Sequence, residues 1–363
     1  MKKTLLATAI IGALGASAAA QAATVYDQDG TKLDIYGRIA MGIEGGGSDR
    51  NSSGAEIDNG PEFVDVFSRL GLRMSHEINS DLSGFGHLEW RFKGDERNTD
   101  SGFSEIRQSY LGLKSNQYGT VQAGNFDSFY NQFVSSPFDV YINRGFEFAG
   151  HPKQSRGDSI GYYTPNLEGW TAFLQLKHYS ERGKVEGAPG NAGGVYDEGN
   201  VVAAQGGVQY EQGPVTVGLG FVDDVVRGGG NGKLMGGLIG SYQINDQFSA
   251  RLGYEGRRHS ERYAGPDRNG YDKWGLGGTF VTGPWAFNAD IYDISEDGDG
   301  PNRTAWALGS YYKVSSNFDV FAEVNQRDQQ SFSVNVFEDG RPVSVDRSES
   351  EDVYWLTGAR YHF

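Results

Sequence analysis

The chain has 363 residues and no cysteine, and 32 Lys and Arg stand against 47 Asp and Glu for a formal net charge of −15. The missing thiols exclude disulfides and cysteine-based metal sites, and the acidic balance argues against nucleic acid as a partner. Fifty-four glycines (the usual share is ~7%), 13% aromatic residues and a mean hydropathy of −0.52 together argue against a helical protein with a compact apolar core.

The opening MKKTLLATAIIGALGASAAAQA pairs Lys2 and Lys3 with the apolar stretch Leu5 to Leu14 and ends on Ala20-Gln21-Ala22. It reads as a cleaved secretory signal over 1–22, too short in its apolar part to span a bilayer. The mature chain, 23–363, shows no composition break and reads as one domain. In KLDIYGRIAMGIE (32–44), Leu33, Ile35, Ile39, Met41 and Ile43 share one face, and Lys32, Asp34, Arg38 and Glu44 the other. A period of two is the mark of a strand. LSGFGHLEWRFK (82–93) repeats it, with Leu88, Trp90 and Phe92 against His87, Glu89, Arg91 and Lys93.

Seven short turns, from INSD (78–81) to VSSN (314–317), alternate with eight longer polar segments, of which 127–156 is the longest. Together they join sixteen strands with short turns at one end and long loops at the other. This is the pattern of an all-β, 16-stranded antiparallel transmembrane β-barrel, wide enough for an aqueous lumen. The last segment, EDVYWLTGARYHF, alternates to the final aromatic Phe363. This last strand is expected to pair with the first, since an open edge in lipid is costly.

The segments ATVYDQDGTKLDIYGR, SRLGLRMSHEINSDLSGFG, IRQSYLGLK and SRGDSIGYYTPNLEG, with the terminal Phe363, stand in an order that resembles the general (non-specific) porins of the Gram-negative outer membrane. The resemblance covers essentially the whole mature chain. It implies an integral outer-membrane protein, a homotrimer among outer-membrane lipids and lipopolysaccharide. It also implies passive passage of small hydrophilic solutes and ions, no cofactor and no catalysis. The third long loop, 127–156, would fold inward and narrow the pore. Gly145-Phe146-Glu147-Phe148-Ala149-Gly150 resembles the family's Pro-Glu-Phe-Gly-Gly loop tip, with Phe146 in the Pro position, Ala149 in the first Gly position and Glu147 and Phe148 matching, so that Gly145, Phe148 and Gly150 mark the tip.

By the same resemblance Arg38, Arg69, Arg107 and Arg156 form a basic wall opposite the loop acids. Alternation independently puts Arg38 and Arg69 on polar faces. Arginine facing lipid at mid-depth costs about 2–4 kcal/mol, which favours the inward orientation. Opposed rows of charge across a narrow lumen set up a transverse field. Two departures from the family pattern are present. Glu105 stands where relatives carry a basic residue, and Asn143 replaces a second loop carboxylate, a role for which Asp139 is the substitute. With Glu147 at the narrowest point, Glu147→Gln is expected to shift selectivity toward anions. A substrate-selective channel on the same fold is the alternative.

Three local motifs point elsewhere. Gly157-Asp158-Ser159-Ile160-Gly161 spells the nucleophile elbow of serine hydrolases, but YYTPNLEGW follows it without the required helix signal. GGGNGK (228–233) lacks the spacing and the Ser or Thr of a phosphate loop. DISEDGDGPNRT (293–304) ends on Thr304 where a calcium loop needs glutamate.

Overall fold

The structure, a computed structural model, describes residues 22–47, 49–50, 56–57, 60–97, 102–148, 157–179, 201–223, 234–258, 270–297, 302–326, 329–338, 341–349 and 353–363. Sixteen strands follow one another around the wall. In chain order they are β1 (Thr31–Gly46), β2 (Arg69–Glu77, preceded by the short strand Glu62–Asp65), β3 (Leu82–Arg91), β4 (Glu105–Ser115), β5 (Gly119–Asn125), β6 (Ser159–Tyr163), β7 (Trp170–Tyr179) and β8 (Val201–Gln212). The second half comprises β9 (Val215–Asp223), β10 (Leu234–Gln243), β11 (Phe248–Arg257), β12 (Tyr271–Thr282), β13 (Trp285–Glu296), β14 (Arg303–Lys313), β15 (Phe318–Gln326) and β16 (Val353–His362). Each pairs antiparallel with its chain neighbour. β16 pairs with both β15 and β1, so the sheet closes with no free edge.

The alternation read from the sequence becomes two surfaces of opposite character. Leu219, Leu238, Leu252, Leu276, Ile291 and Leu308 are exposed, while Gln175, Gln205, Glu255, Asp290 and Glu323 are buried. The apolar row runs in register from strand to strand, as in Leu219↔Leu238, Leu252↔Leu276 and Leu276↔Ile291. A soluble protein would reverse this arrangement; a hydrocarbon surround and a wet interior favour it. Exposed Tyr118, Trp170, Tyr242, Trp285 and Tyr361 lie next to the short turns or the C-terminus, forming an aromatic girdle at that rim. Among the described residues no helix is long and apolar enough to cross a membrane.

Three features go beyond the sequence reading. Ala23–Gln28 forms a hairpin with β1 through Asp29 and Gly30, occupying the part of that edge beyond the end of β16. Residues 66–68 interrupt the second strand as a bulge. There Ser68 Oγ accepts from the Ala40 amide at 2.9 Å, and Phe67 has a φ of +61°. The last long polar segment contains a two-stranded ladder, Gln329–Glu338 with Arg341–Glu349.

The third long segment explains the odd composition. After β5 the chain makes a π-helical turn, Asn131–Ser135, and a 3₁₀ turn, Ser136–Phe138. Phe126, Phe129, Tyr130, Phe138 and Phe148 are all buried, in one cluster with Phe173 and Tyr292 of the wall. Fully burying such a ring contributes about 1.5–3 kcal/mol. The seats are glycines on the polar face. A Cβ on Gly161 would stand 2.5 Å from the Phe129 ring, and one on Gly253 2.7 Å from Phe148. Part of the glycine and aromatic excess is accounted for in this way, with wall glycines leaving room for the rings of the loop.

Candidate pore site

The loop is held against the polar face at both ends. The Phe129 amide donates to Gln175 Oε1 at 2.8 Å and the Tyr130 amide to Gln205 Oε1 at 2.9 Å, on β7 and β8. Far round the wall, Glu323 of β15 accepts from the Ile142 amide at 2.6 Å and from the Asn143 amide at 3.3 Å. Tyr311 Oη donates to the same carboxylate at 2.6 Å. Asn288 Nδ2 donates to the Val140 carbonyl and Tyr292 Oη to the Gly145 carbonyl, both at 3.1 Å.

Between this loop and the wall of β1 to β4 lies a cavity of about 420 Å³. Arg38, Arg69, Arg73, Arg91, Arg107 and Arg360 line it on the wall side, together with Glu89, and Asp139 to Ile142 line it from the loop. The ladder places the wall charges in rows. His362 lies opposite Arg38, Arg38 opposite Arg69, Arg69 opposite Arg91, and Arg91 opposite Glu105.

Glu89, on the inward row of β3, is the centre of the network. Its Oε1 accepts from Arg107 Nη1 at 2.6 Å and from Arg69 Nη1 at 3.2 Å, and its Oε2 accepts from Tyr36 Oη at 2.6 Å. A carboxylate this buried is stable only because it is so fully partnered. Arg107 Nη2 also donates to Asp127 at 3.0 Å, at the start of the loop. Arg91 pairs with Glu105 at 3.1 Å and stacks over the Phe67 ring at 4.6 Å. Arg38 donates through Nε to the Phe67 carbonyl at 3.0 Å. The unusual φ of Phe67 therefore aims both its ring and its carbonyl at the arginines, a backbone conformation that costs a non-glycine residue about 1–3 kcal/mol.

The sequence-predicted residues separate into groups. Arg38, Arg69, Arg107 and Asp139 come together around the cavity, and Glu105 stands behind it, tied to Arg91. Asp139 is exposed to the cavity. The protein crowding its carboxyl and the nearby Asp127 push it above the usual aspartate range, while Arg107 and Arg69 pull it down. Glu147 lies elsewhere. It is buried, its carboxylate 3.5 Å from Arg303 Nη2 of β14 and its carbonyl accepting from Lys273 of β12. Gly145 has a φ of +95°, where a side chain would be strained and would meet Ala307, and Phe148 is wholly buried. Phe363 exchanges backbone hydrogen bonds with Gly37. Arg156 and Gly150 lie outside the described residues.

Parity in the sequence puts Glu89 and Arg91 on a polar face, without assigning them a role. Sequence reasoning missed Asp127, Arg360 and Glu323. Parity along the last strand would have found Arg360, but no local signal marks a loop anchor. Ser159, in the nucleophile-like motif, is a buried strand residue whose Oγ accepts from Gln175 Nε2 at 3.0 Å. Its strand ends in a turn that leads directly into the next strand, Trp170–Tyr179.

A family model described as Gram-negative porin matches residues 7–331. The chain belongs to the Gram-negative porin family. A monosaccharide porin of Halomonas sp. is 29% identical to this porin over 370 residues, covering 91% of this chain and 96% of that one. Outer membrane porin F of Salmonella typhimurium is 35% identical over 125 residues, 34% of this chain and 32% of that protein. Among solved structures, the anion-selective porin from Comamonas acidovorans superposes with a TM-score of 0.66 at 17% identity, covering 92% and 100% of the two chains. A trimer form of OmpT from Vibrio cholerae gives 0.62 at 16% identity, with the same coverage. At such identities the likeness establishes the fold, a closed 16-stranded barrel. The porin is an outer-membrane protein and a passive channel.

Proposed function

We propose that the constriction of this porin is the cavity between the arginine wall, Arg38, Arg69 and Arg107, and the loop from Asp139 to Ile142. The third loop then folds into the lumen and narrows it, so that ions and small hydrophilic solutes diffuse past opposed charges. The observation that carries this reading is the loop's bonding to the polar rows of β7, β8, β13 and β15, on the side away from the apolar face. Across such a gap the low-dielectric wall concentrates the field. An apolar solute would have to displace oriented water there and crosses slowly.

The working unit is a homotrimer in contact with outer-membrane lipid and lipopolysaccharide, residues 1–22 act as the export signal, and no catalytic role is assigned. The trimeric neighbour supports the first of these. Reconstitution in a planar bilayer tests the whole reading. Conductance steps in multiples of three are expected; a purified protein that inserts without opening conductance would refute it.

A sugar-selective channel is the second reading. The Halomonas relative that spans nearly the whole chain is named a monosaccharide porin, and Tyr36, Phe67, Tyr141 and Tyr311 place rings beside the charges of the cavity. Flux of a monosaccharide that saturates with concentration would favour this reading over free diffusion.

A further inference from the structure

We propose that a second pocket, apart from the arginine cavity and nearer the rim of the long loops, binds small primary ammonium ions between Glu44, Glu62 and the side-chain oxygen of Asn325. The site goes beyond the pore reading above and keeps its place in the fold wherever the narrowest point lies.

Register places the pocket. Thr31 of β1 lies opposite His76, beside the short turn 78–81, so Gly46 at the far end of β1 belongs to the opposite rim. Glu44 stands six residues beyond Arg38 toward that rim, about 20 Å along the strand. Its cross-strand partners are Glu62 on one side and Leu356 on the other, and Leu356 lies in turn opposite Glu323. One row across four strands therefore carries three carboxylates. Like charges directly opposite each other, as Glu44 and Glu62 are, destabilise a sheet.

The groups around this row do not neutralise it. Glu323 is taken up by the Ile142 and Asn143 amides and the Tyr311 hydroxyl. Glu44 accepts from the neutral Asn143 side chain at 3.2 Å, and neither Glu44 nor Glu62 makes an ion pair among the described residues. Arg144, the cation lining the pocket, stacks over the Tyr354 ring at 4.3 Å and pairs with no acid among the described residues.

Asn325 is an independent sign of a missing ligand. It lines the same pocket opposite Tyr354 on the ladder and is 3% exposed, yet its Oδ1 has no hydrogen-bond partner among the described residues. Buried polar atoms are nearly always partnered. The pocket thus lacks both a donor and a positive charge, and an ammonium group supplies the two together through its three N–H bonds. A bare metal ion fits less well. Calcium takes about 6–8 oxygen ligands, and among the described residues no three acidic or histidine side chains converge to hold an ion. The pocket's volume of about 180 Å³ admits a short alkylammonium with part of its water.

The test is saturation-transfer NMR of ethylammonium with the mature protein in detergent, a readout that does not depend on conductance. Transfer to ethylammonium is expected to saturate with concentration. Tetramethylammonium, which has the same charge and no N–H, should not displace it. Glu62→Gln should raise the half-saturating concentration about tenfold, the scale of a lost charge-assisted pair. Asn325→Leu, which removes the acceptor at similar volume, should raise it about fivefold. Asn325→Asp, which keeps an oxygen and adds charge, should lower it, and it serves where the leucine variant folds poorly. Equal competition by tetramethylammonium, or binding indifferent to Glu62 and Asn325, overturns the proposal. So does magnesium that displaces ethylammonium below the latter's own half-saturating concentration, since that assigns the pocket to metal ions. Stepwise conductance in bilayers without saturable ethylammonium binding overturns this proposal alone; ethylammonium binding without conductance overturns the channel reading alone.

Discussion

Phe363 and Gly37 exchange two backbone hydrogen bonds, Gly37 N to Phe363 O at 2.9 Å and Phe363 N to Gly37 O at 3.1 Å. The last residue of the chain is thereby stitched to the first barrel strand. A Cβ on Gly37 would lie 2.5 Å from the Phe363 ring and 2.6 Å from the Arg69 carbonyl, so the seam accepts no side chain there.

Gly37→Leu should therefore damage closure. Overpacking alone costs about 1–3 kcal/mol, and a displaced β16 would leave strand edges unpaired in lipid. The expected result is a barrel that loses its heat-modifiable electrophoretic mobility at lower temperature than the wild type. An unchanged transition would show that the terminal residue is dispensable for the seam.

Glu323→Ala should loosen the loop. It removes the acceptor of three donors, the amides of Ile142 and Asn143 and the hydroxyl of Tyr311. Leaving the two part-buried amides unsatisfied costs up to about 1–3 kcal/mol each, whereas Tyr311 keeps the Val140 carbonyl as an acceptor at 3.1 Å. Open-channel current noise should increase, and Glu323→Gln, which keeps an acceptor oxygen, should be milder. Equal noise in wild type and the alanine variant would contradict the anchoring role.

Glu147→Gln should leave the reversal potential near its wild-type value, because the carboxylate faces Arg303 instead of the cavity. This reverses the expectation drawn from the motif alone. A large shift toward anions on this substitution would return Glu147 to the narrowest point.

The pH dependence should come from Asp139. Its carboxyl is held high by the surrounding protein first and by Asp127 next, so on acidification it takes a proton above the ~3.9 of a free aspartate. Protonation removes negative charge from the cavity, and anion preference should rise as pH falls through that window. Reversal potentials recorded across the window should show this step in the wild type and lack it in Asp139→Asn; its persistence in the variant would assign the titration to another group.

Gly275→Leu should unseat the loop from below. A side chain there would run into the Phe148 ring, which also packs on Tyr292 at 5.4 Å. Single-channel conductance should become heterogeneous from molecule to molecule. A single conductance level matching the wild type would show that Phe148 does not hold the loop.

The wall of this porin was legible in the sequence because hydrocarbon and water on opposite sides impose a period of two. Leu33, Ile35 and Ile39 against Asp34 and Arg38 already report which side is which, and the turn residues at 78–81 through 314–317 count the strands. Parity also placed Arg38 and Arg69 inward without any neighbour being known. What it could not supply was distance across the lumen. That Glu89 joins Arg69 and Arg107, that Asp139 faces them while Glu147 turns to Arg303, and that Glu323 holds a loop some 180 residues earlier in the chain depend on where a closed ring brings its far sides together. Alternation is a local consequence of solvent on each face; the charge pattern of the opening is a consequence of closure, and only the folded barrel contains it.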